Sequence, residues 1–393
     1  MRQAYFDHIA ATPLHPEALK AMLPYLGQIY GNPQSLHSAG QRALAAVETA
    51  REEVASLIGA EGEEVYFTSS GSEANNFAVK GLAQAYQSKG KHIVVSAVEH
   101  QSVLNPVKSL EKLGFSSTPV PVDRTGRVDP ADVEKALRKD TVLVSVMTAN
   151  GEVGTIEPVA EIARVCRSRD VLFHTDAVAA AGSIPLNVRE LGVDALSLAG
   201  DQFYGPKGSA AMFLKRGTKI LPLIEGGIQE NGRRAGTENV AAIVGLGRAA
   251  ALAKAEMHDR TLRLRPLRDL IIGEVPRRVD HVYLTGHPTD RLPHHVSFCV
   301  EFVEGEGMLL MLDMQGVSAS SGSACTSKAL KASHVLLAMG LDHALAQGSL
   351  VFSLIDGAVH EDVDHLLEAL PPIVERLRKM SPLYTQFLKE KAS

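Results

Sequence analysis

The chain has 393 residues, 45% of them hydrophobic and 22% charged, which suffices for one large soluble α/β domain and a smaller companion. Its net charge of −5, from 40 basic and 45 acidic residues, argues against nucleic acid or an anionic membrane as the main partner. Three cysteines (Cys166, Cys299 and Cys325) are too few, too widely spaced and odd in number for a disulfide framework, so a reducing cytoplasm is the expected location. No apolar run reaches the roughly 18 residues of a membrane span, and the opening MRQAYFDHIAATP carries no signal-peptide core.

Tyr5–Pro16 reads as a short extended opening, followed by a loop of turn formers, Gly31-Asn32-Pro33-Gln34-Ser35-Leu36-His37. Leu44, Val47, Val54, Leu57 and Ile58 share one face of a helix that Gly59 can stop. Val65–Thr68 is an expected buried strand. It runs into Ser69-Ser70-Gly71-Ser72-Glu73-Ala74-Asn75-Asn76, small hydroxyls and a glycine opening an Ala-rich helix. Free amides and the macrodipole at such a start suit a phosphate; the plainer reading is a helix cap. Strands are expected at His92–Ser96, Thr141–Thr148 and Val171–Thr175, with a helix at Pro158–Ser168. Each strand is followed by a polar signal: Val98-Glu99-His100, then Ala149-Asn150-Gly151-Glu152, then Asp176. That alternation predicts a mostly parallel sheet with its site along one edge.

Ala195–Gly208, ALSLAGDQFYGPKG, ends another strand in a Gly-Pro turn. Beyond Lys215 a glycine-rich loop, Gly226–Thr237, leads into two helical stretches over about Glu238–Glu274. The remainder reads as a smaller α+β unit, with strands near His295–Phe302 and Leu350–Leu354 and a helix near Gly307–Met314. A last helix presents Val363, Leu366, Leu367 and Leu370 on one face. The expected division is a large α/β domain over 15–255, and a small α+β domain formed by 1–14 and 256–393 that carries Cys325 in the small-residue loop ASSGSACTS.

Taken in order, YFDHIAATP, GNPQSLH, TSSGSEANN, VEH, ANGEVGT, HTDA, YGPKG, GRRAGTEN and SSGSACTS resemble the motifs of the cysteine desulfurases, the NifS/IscS branch of the class V aminotransferase superfamily. The resemblance spans Tyr5 to about Leu377. It implies the pyridoxal-phosphate (PLP)-dependent transferase fold of type I, a homodimer, and an iron–sulfur scaffold or another sulfur acceptor as partner. It places Asp176 on the cofactor's pyridinium nitrogen and His100 on its ring. Ser72 and Thr237 fall at its phosphate, the Thr supplied by the other subunit. Taken alone, Asp176 reads as a strand-end cap and His100 as a locally satisfied loop histidine. Cys325 takes the place of the thiol that attacks the substrate sulfur and carries it as a persulfide; as a transient iron–sulfur ligand it needs a partner's thiolates.

Other positions depart from the pattern. Gln202 stands where the Schiff-base lysine belongs, and an amide nitrogen is no such nucleophile. Ala199 and Asp201 replace phosphate-holding Ser and His. Ala179 and Gly151 replace a Gln and an Asn near the phenolic oxygen, and Val351 replaces the Arg that grips the substrate carboxylate. Lys207 belongs to YGPKG itself, five residues past Gln202. The resulting expectation is a desulfurase-like sulfur-transfer protein, impaired or inactive toward cysteine, that uses Cys325 and holds any pyridoxal phosphate non-covalently. The alternatives are a slow desulfurase with non-covalent cofactor and a non-catalytic dimeric binding or regulatory protein.

Overall fold

A computed structural model describes residues 2–322 and 332–392; Cys325 falls outside them. The strands in chain order are β1 Ala4–Tyr5, β2 Val65–Thr68, β3 His92–Ser96, β4 Ser116–Val120, β5 Thr141–Ser145, β6 Leu172–Asp176, β7 Ala195–Ala199, β8 Ala210–Leu214, β9 Val282–Leu284, β10 His295–Val300, β11 Val317–Ser318 and β12 Ser349–Ser353. A seven-stranded sheet runs β2-β8-β7-β6-β5-β3-β4. Only β8 opposes its neighbours; the other pairs are parallel. The carboxyl ends of β2, β3, β5, β6 and β7 therefore share one edge, where open α/β sheets hold ligands. β2, β3, β5 and β7 are buried along their whole length, as strands covered by helices on both faces must be.

The second unit is an antiparallel sheet, β12-β10-β9. The parallel pair β1 and β11 joins it through the bridges Asp7–Ser353 and Ser320–Val351. Helices Gly305–Asp313 and His360–Met380 cover it, burying Met308, Leu312, Val363, Leu366, Leu367 and Leu370.

Helix Ser38–Ile58 ends as the sequence predicts: Gly59 sits at φ 67°, the left-handed cap that a side chain resists. The two helical stretches expected after residue 238 are instead one 39-residue helix, Val240–Arg278, continuous through Pro266. Its first half buries Ile243, Leu246 and Ala250 against the large core, and its second half buries Leu264, Leu267 and Ile271 in the small one. Packing at both ends offsets the roughly 3 kcal/mol that an interior proline costs.

Candidate active site

Five loops meet at the carboxyl edge. After β2, Ser70 caps helix Gly71–Ala85 by accepting the amide of Glu73 (3.1 Å). Gly71 is needed because a Cβ there would stand 2.7 Å from Val178 Cγ2, just past β6. That approach brings Asn75, one turn into the helix, against the strand end. Its Nδ2 donates to Asp176 Oδ2 (2.6 Å) and to Ser102 Oγ (2.9 Å). Ser102 Oγ in turn lies 2.7 Å from His100 Nδ1, which accepts the Ser102 amide (3.1 Å). Asp176 and His100 are thus linked through Asn75 and Ser102. Asp176 is buried and its other oxygen accepts the Val178 amide (2.9 Å). Burial raises its pKa, and these two donors work against the rise.

His100 is exposed and caps helix Gln101–Glu111. It lines a cavity of about 220 Å³ together with Ile9, Met147, Glu152, Ser320 and Val351. No Lys or Arg is among the described lining residues. Val351 on β12 is buried and exchanges backbone hydrogen bonds with Ser320. The carboxyls nearby are dry. Burial, then the charge of Asp176, lifts Glu99 well above the usual carboxylate range, and its Oε1 accepts the Met147 amide (2.6 Å). Burial pushes Glu152 up to about 8. Among the described lining residues no Lys or Arg is placed to hold a carboxylate.

Gln202 is buried at the end of the short turn Gly200–Gln202. Its Nε2 donates to the carbonyl of Ile9 (3.2 Å), and its own carbonyl meets His8 Nε2 (2.9 Å). The His8 ring stacks on His294 with centroids 4.4 Å apart, and burial pulls it down to about 4. Thr12 Oγ1 donates to the Asp201 carbonyl (2.7 Å) and accepts the Tyr204 amide (3.1 Å). The opening segment 8–15 is therefore zipped onto 201–204. Burial raises Asp201, and the charge of exposed Lys207 opposes the rise.

Ser72 lies exposed in the first turn of helix Gly71–Ala85. Thr237 is exposed in the glycine-rich loop, three residues after Arg234, whose Nε donates to Glu73 (2.9 Å). Sequence reasoning did not single out Asn75, Ser102, His8 or Ile9. Asn75, His8 and Ile9 lay inside quoted motifs, and the four-residue spacing from Gly71 was a hint for Asn75.

A cofactor of the type found in this fold fits at one end and not at the other. Asp176 has lone pairs left for a ring N–H, and the helix start beside Ser72 suits an anion. At position 202 the only nitrogen is an amide engaged with Ile9, and Gly151 and Ala179 offer no side-chain donor. Gln202 itself supplies no amine for a covalent tether.

The buried acids give a pH signature. Glu152 and Glu157 are both pushed up to about 8 by burial. The folded chain keeps their protons where the unfolded chain loses them, so this stability is fully present below the ordinary carboxyl pKa and is lost as pH rises toward 8. His8, His174 and His295, pulled down to about 4, 3 and 3, act oppositely: their stability is present above 6.5 and is lost as pH falls. Between pH 7 and 8 the carboxyls act almost alone. Urea unfolding is expected to show a loss of at least about 2 kcal/mol across that unit, with Glu99 adding in the same direction, and Glu157→Gln is expected to reduce the slope by about 1 kcal/mol. Stability that is level or rising there contradicts the assignment.

The Aminotransferase class-V family profile matches residues 4–366. Cysteine desulfurase IscS of Dictyoglomus turgidum is 50% identical over 392 residues, covering 100% of both chains. Human cysteine desulfurase is 43% identical over 387 residues, 98% of this chain and 84% of that one. Among solved structures, a NifS-like protein superposes with a TM-score of 0.90 at 34% identity, covering 96% of this chain and 100% of that one. SspA in complex with cysteine gives 0.80 at 32%, covering 90% and 99%. With these matches running through both sheets and every loop of the site, the chain belongs to the aminotransferase class-V family, as a full-length homologue of the cysteine desulfurases.

Proposed function

We propose that this protein serves sulfur transfer for iron–sulfur cluster assembly without itself desulfurating cysteine. The observation that carries the reading is the Gln202 side chain, buried at the tether position and donating to Ile9. Relatives named cysteine desulfurase point to sulfur from cysteine as the family's cargo. A chain with an amide at 202 and Val351 facing the cavity lacks both the amine that moves the proton and the fork that holds the carboxylate. Any pyridoxal phosphate it binds is held by Asp176, His100, Ser72 and Thr237 without a covalent bond.

The functional thiol in this reading is Cys325. Cys166 and Cys299 are buried, and burial pushes each thiol up to about 12, so neither is a nucleophile at neutral pH. The Cys325 thiolate accepts the outer sulfur of a low-molecular-weight persulfide, releasing that donor's thiolate, and passes the sulfur to a scaffold or other acceptor. The chain acts as a homodimer. Tyr30 (82% exposed), Leu36 (93%) and Ile228 (78%) are large apolar groups of the kind that a second copy covers.

The test is mass spectrometry after incubation with a cysteine persulfide. One added sulfur on the Cys325 peptide, removed by dithiothreitol and absent from Cys325→Ser, is expected. Sulfur on Cys166 or Cys299 instead, or on no cysteine, contradicts the reading.

A further inference from the structure

The opening segment contributes a side chain whose placement says which ring the site accepts. Ile9 is half-buried, with its amide tied to Ser353 Oγ (2.9 Å) and its carbonyl taken by Gln202. A Cβ built on Gly151 would stand 3.1 Å from Ile9 Cγ1, 3.2 Å from Ile9 Cδ1 and 3.7 Å from Ala179 Cβ. Ile9, Gly151 and Ala179 therefore close one corner of the site with hydrocarbon. Contacts of 3.1–3.2 Å leave no room for a side chain at 151 until Ile9 moves. The Ile9 carbonyl is an acceptor already in use, taken by Gln202 Nε2.

We propose that Ile9 is the specificity-determining residue of this pocket. By walling the Gly151–Ala179 corner with hydrocarbon, it weakens the seating over Asp176 of a pyridine ring that carries a phenolate oxygen, and so the affinity for pyridoxal phosphate. A phenolate pressed against this corner loses its water, and the side chains at 9, 151 and 179 return no donor, which is the expensive half of making a hydrogen bond. Gln202 and Ile9 act as a unit, since the carbonyl of one holds the amide of the other. An amine placed at 202 alone still faces a ring that seats weakly. The inference rests on the reading that Asp176 and His100 face the ring, and it is independent of whether Cys325 carries sulfur.

The experiment is equilibrium dialysis of the full-length protein with pyridoxal phosphate, for wild type, Ile9→Val and Ile9→Ala. Borohydride trapping and mass spectrometry of Gln202→Lys and Ile9→Ala/Gln202→Lys accompany it. Affinity is expected to rise in steps, to about tenfold at Ile9→Ala. Covalent label at position 202 is expected to be several-fold higher in the double variant than in Gln202→Lys. Ile9→Val removes only the outer methyl, so it carries the comparison if Ile9→Ala melts early. Equal affinity across the series overturns the proposal, as does complete trapping by Gln202→Lys alone. Sulfide release from wild type would instead strike at the sulfur-transfer reading and leave this one standing.

Discussion

Purified protein given cysteine and pyridoxal phosphate is expected to release sulfide at least about 10²–10⁴-fold more slowly than IscS of Dictyoglomus turgidum assayed alongside, the usual range for loss of a positioned acid–base group. Two structural facts stand behind the figure. The side chain at 202 is an amide donating to Ile9, so it can neither accept nor deliver a proton at neutral pH. The cavity has Val351 in its wall and no Lys or Arg among its described lining residues, so a substrate carboxylate there meets hydrocarbon at the position of the family's Arg. Because the two losses act on different parts of one substrate, Gln202→Lys alone is expected to recover little. Turnover within tenfold of the relative contradicts this account.

The second large effect is on stability. Glu230 is almost fully buried and holds Arg51 through two contacts of 2.8 Å, while its Oε2 also accepts the Phe67 amide (2.8 Å). Arg51 in addition donates to the Val65 carbonyl and lies over the Phe67 ring. Glu230 and Asn231 sit side by side in the left-handed region, at φ 47° and 55°, a conformation that costs about 1 kcal/mol or more per residue and persists only when its surroundings enforce it. This pair fixes the glycine-rich loop that carries Arg234 and Thr237. Glu230→Gln is expected to destabilise by about 3 kcal/mol, because it leaves the buried Arg51 charge with only the exposed Glu48, 3.3 Å away, as its acidic partner. Arg51→Met/Glu230→Leu is expected to recover a large part of that loss. Chemical denaturation of the single and double variants measures both, and a single-variant loss below about 1 kcal/mol contradicts the assignment.

The sheet was legible because its signals are local. β3 falls on His92–Ser96 as its buried pattern predicts, and Gly59 stops its helix where the apolar face ends. The expected boundary at 255 falls inside the single helix Val240–Arg278, whose first half packs in one core and whose second half packs in the other. The site was legible where chemistry follows a strand, as at Asp176, His100 and Gln202. It was opaque where tertiary packing decides. Nothing in Phe6-Asp7-His8-Ile9 announces that a carbonyl of this segment occupies the Gln202 amide, or that its isoleucine covers Gly151. Nor does Glu152 differ as a letter from an exposed glutamate; only burial holds its proton near neutral pH.

The most direct measurement on the missing tether is borohydride reduction of the wild-type protein incubated with pyridoxal phosphate, followed by peptide mass spectrometry. The account predicts no reduced cofactor on any lysine, Lys207 included, and an absorbance change on adding cysteine that matches that of pyridoxal phosphate and cysteine without protein. Reduced cofactor on a single lysine, in protein that also liberates sulfide, would contradict it.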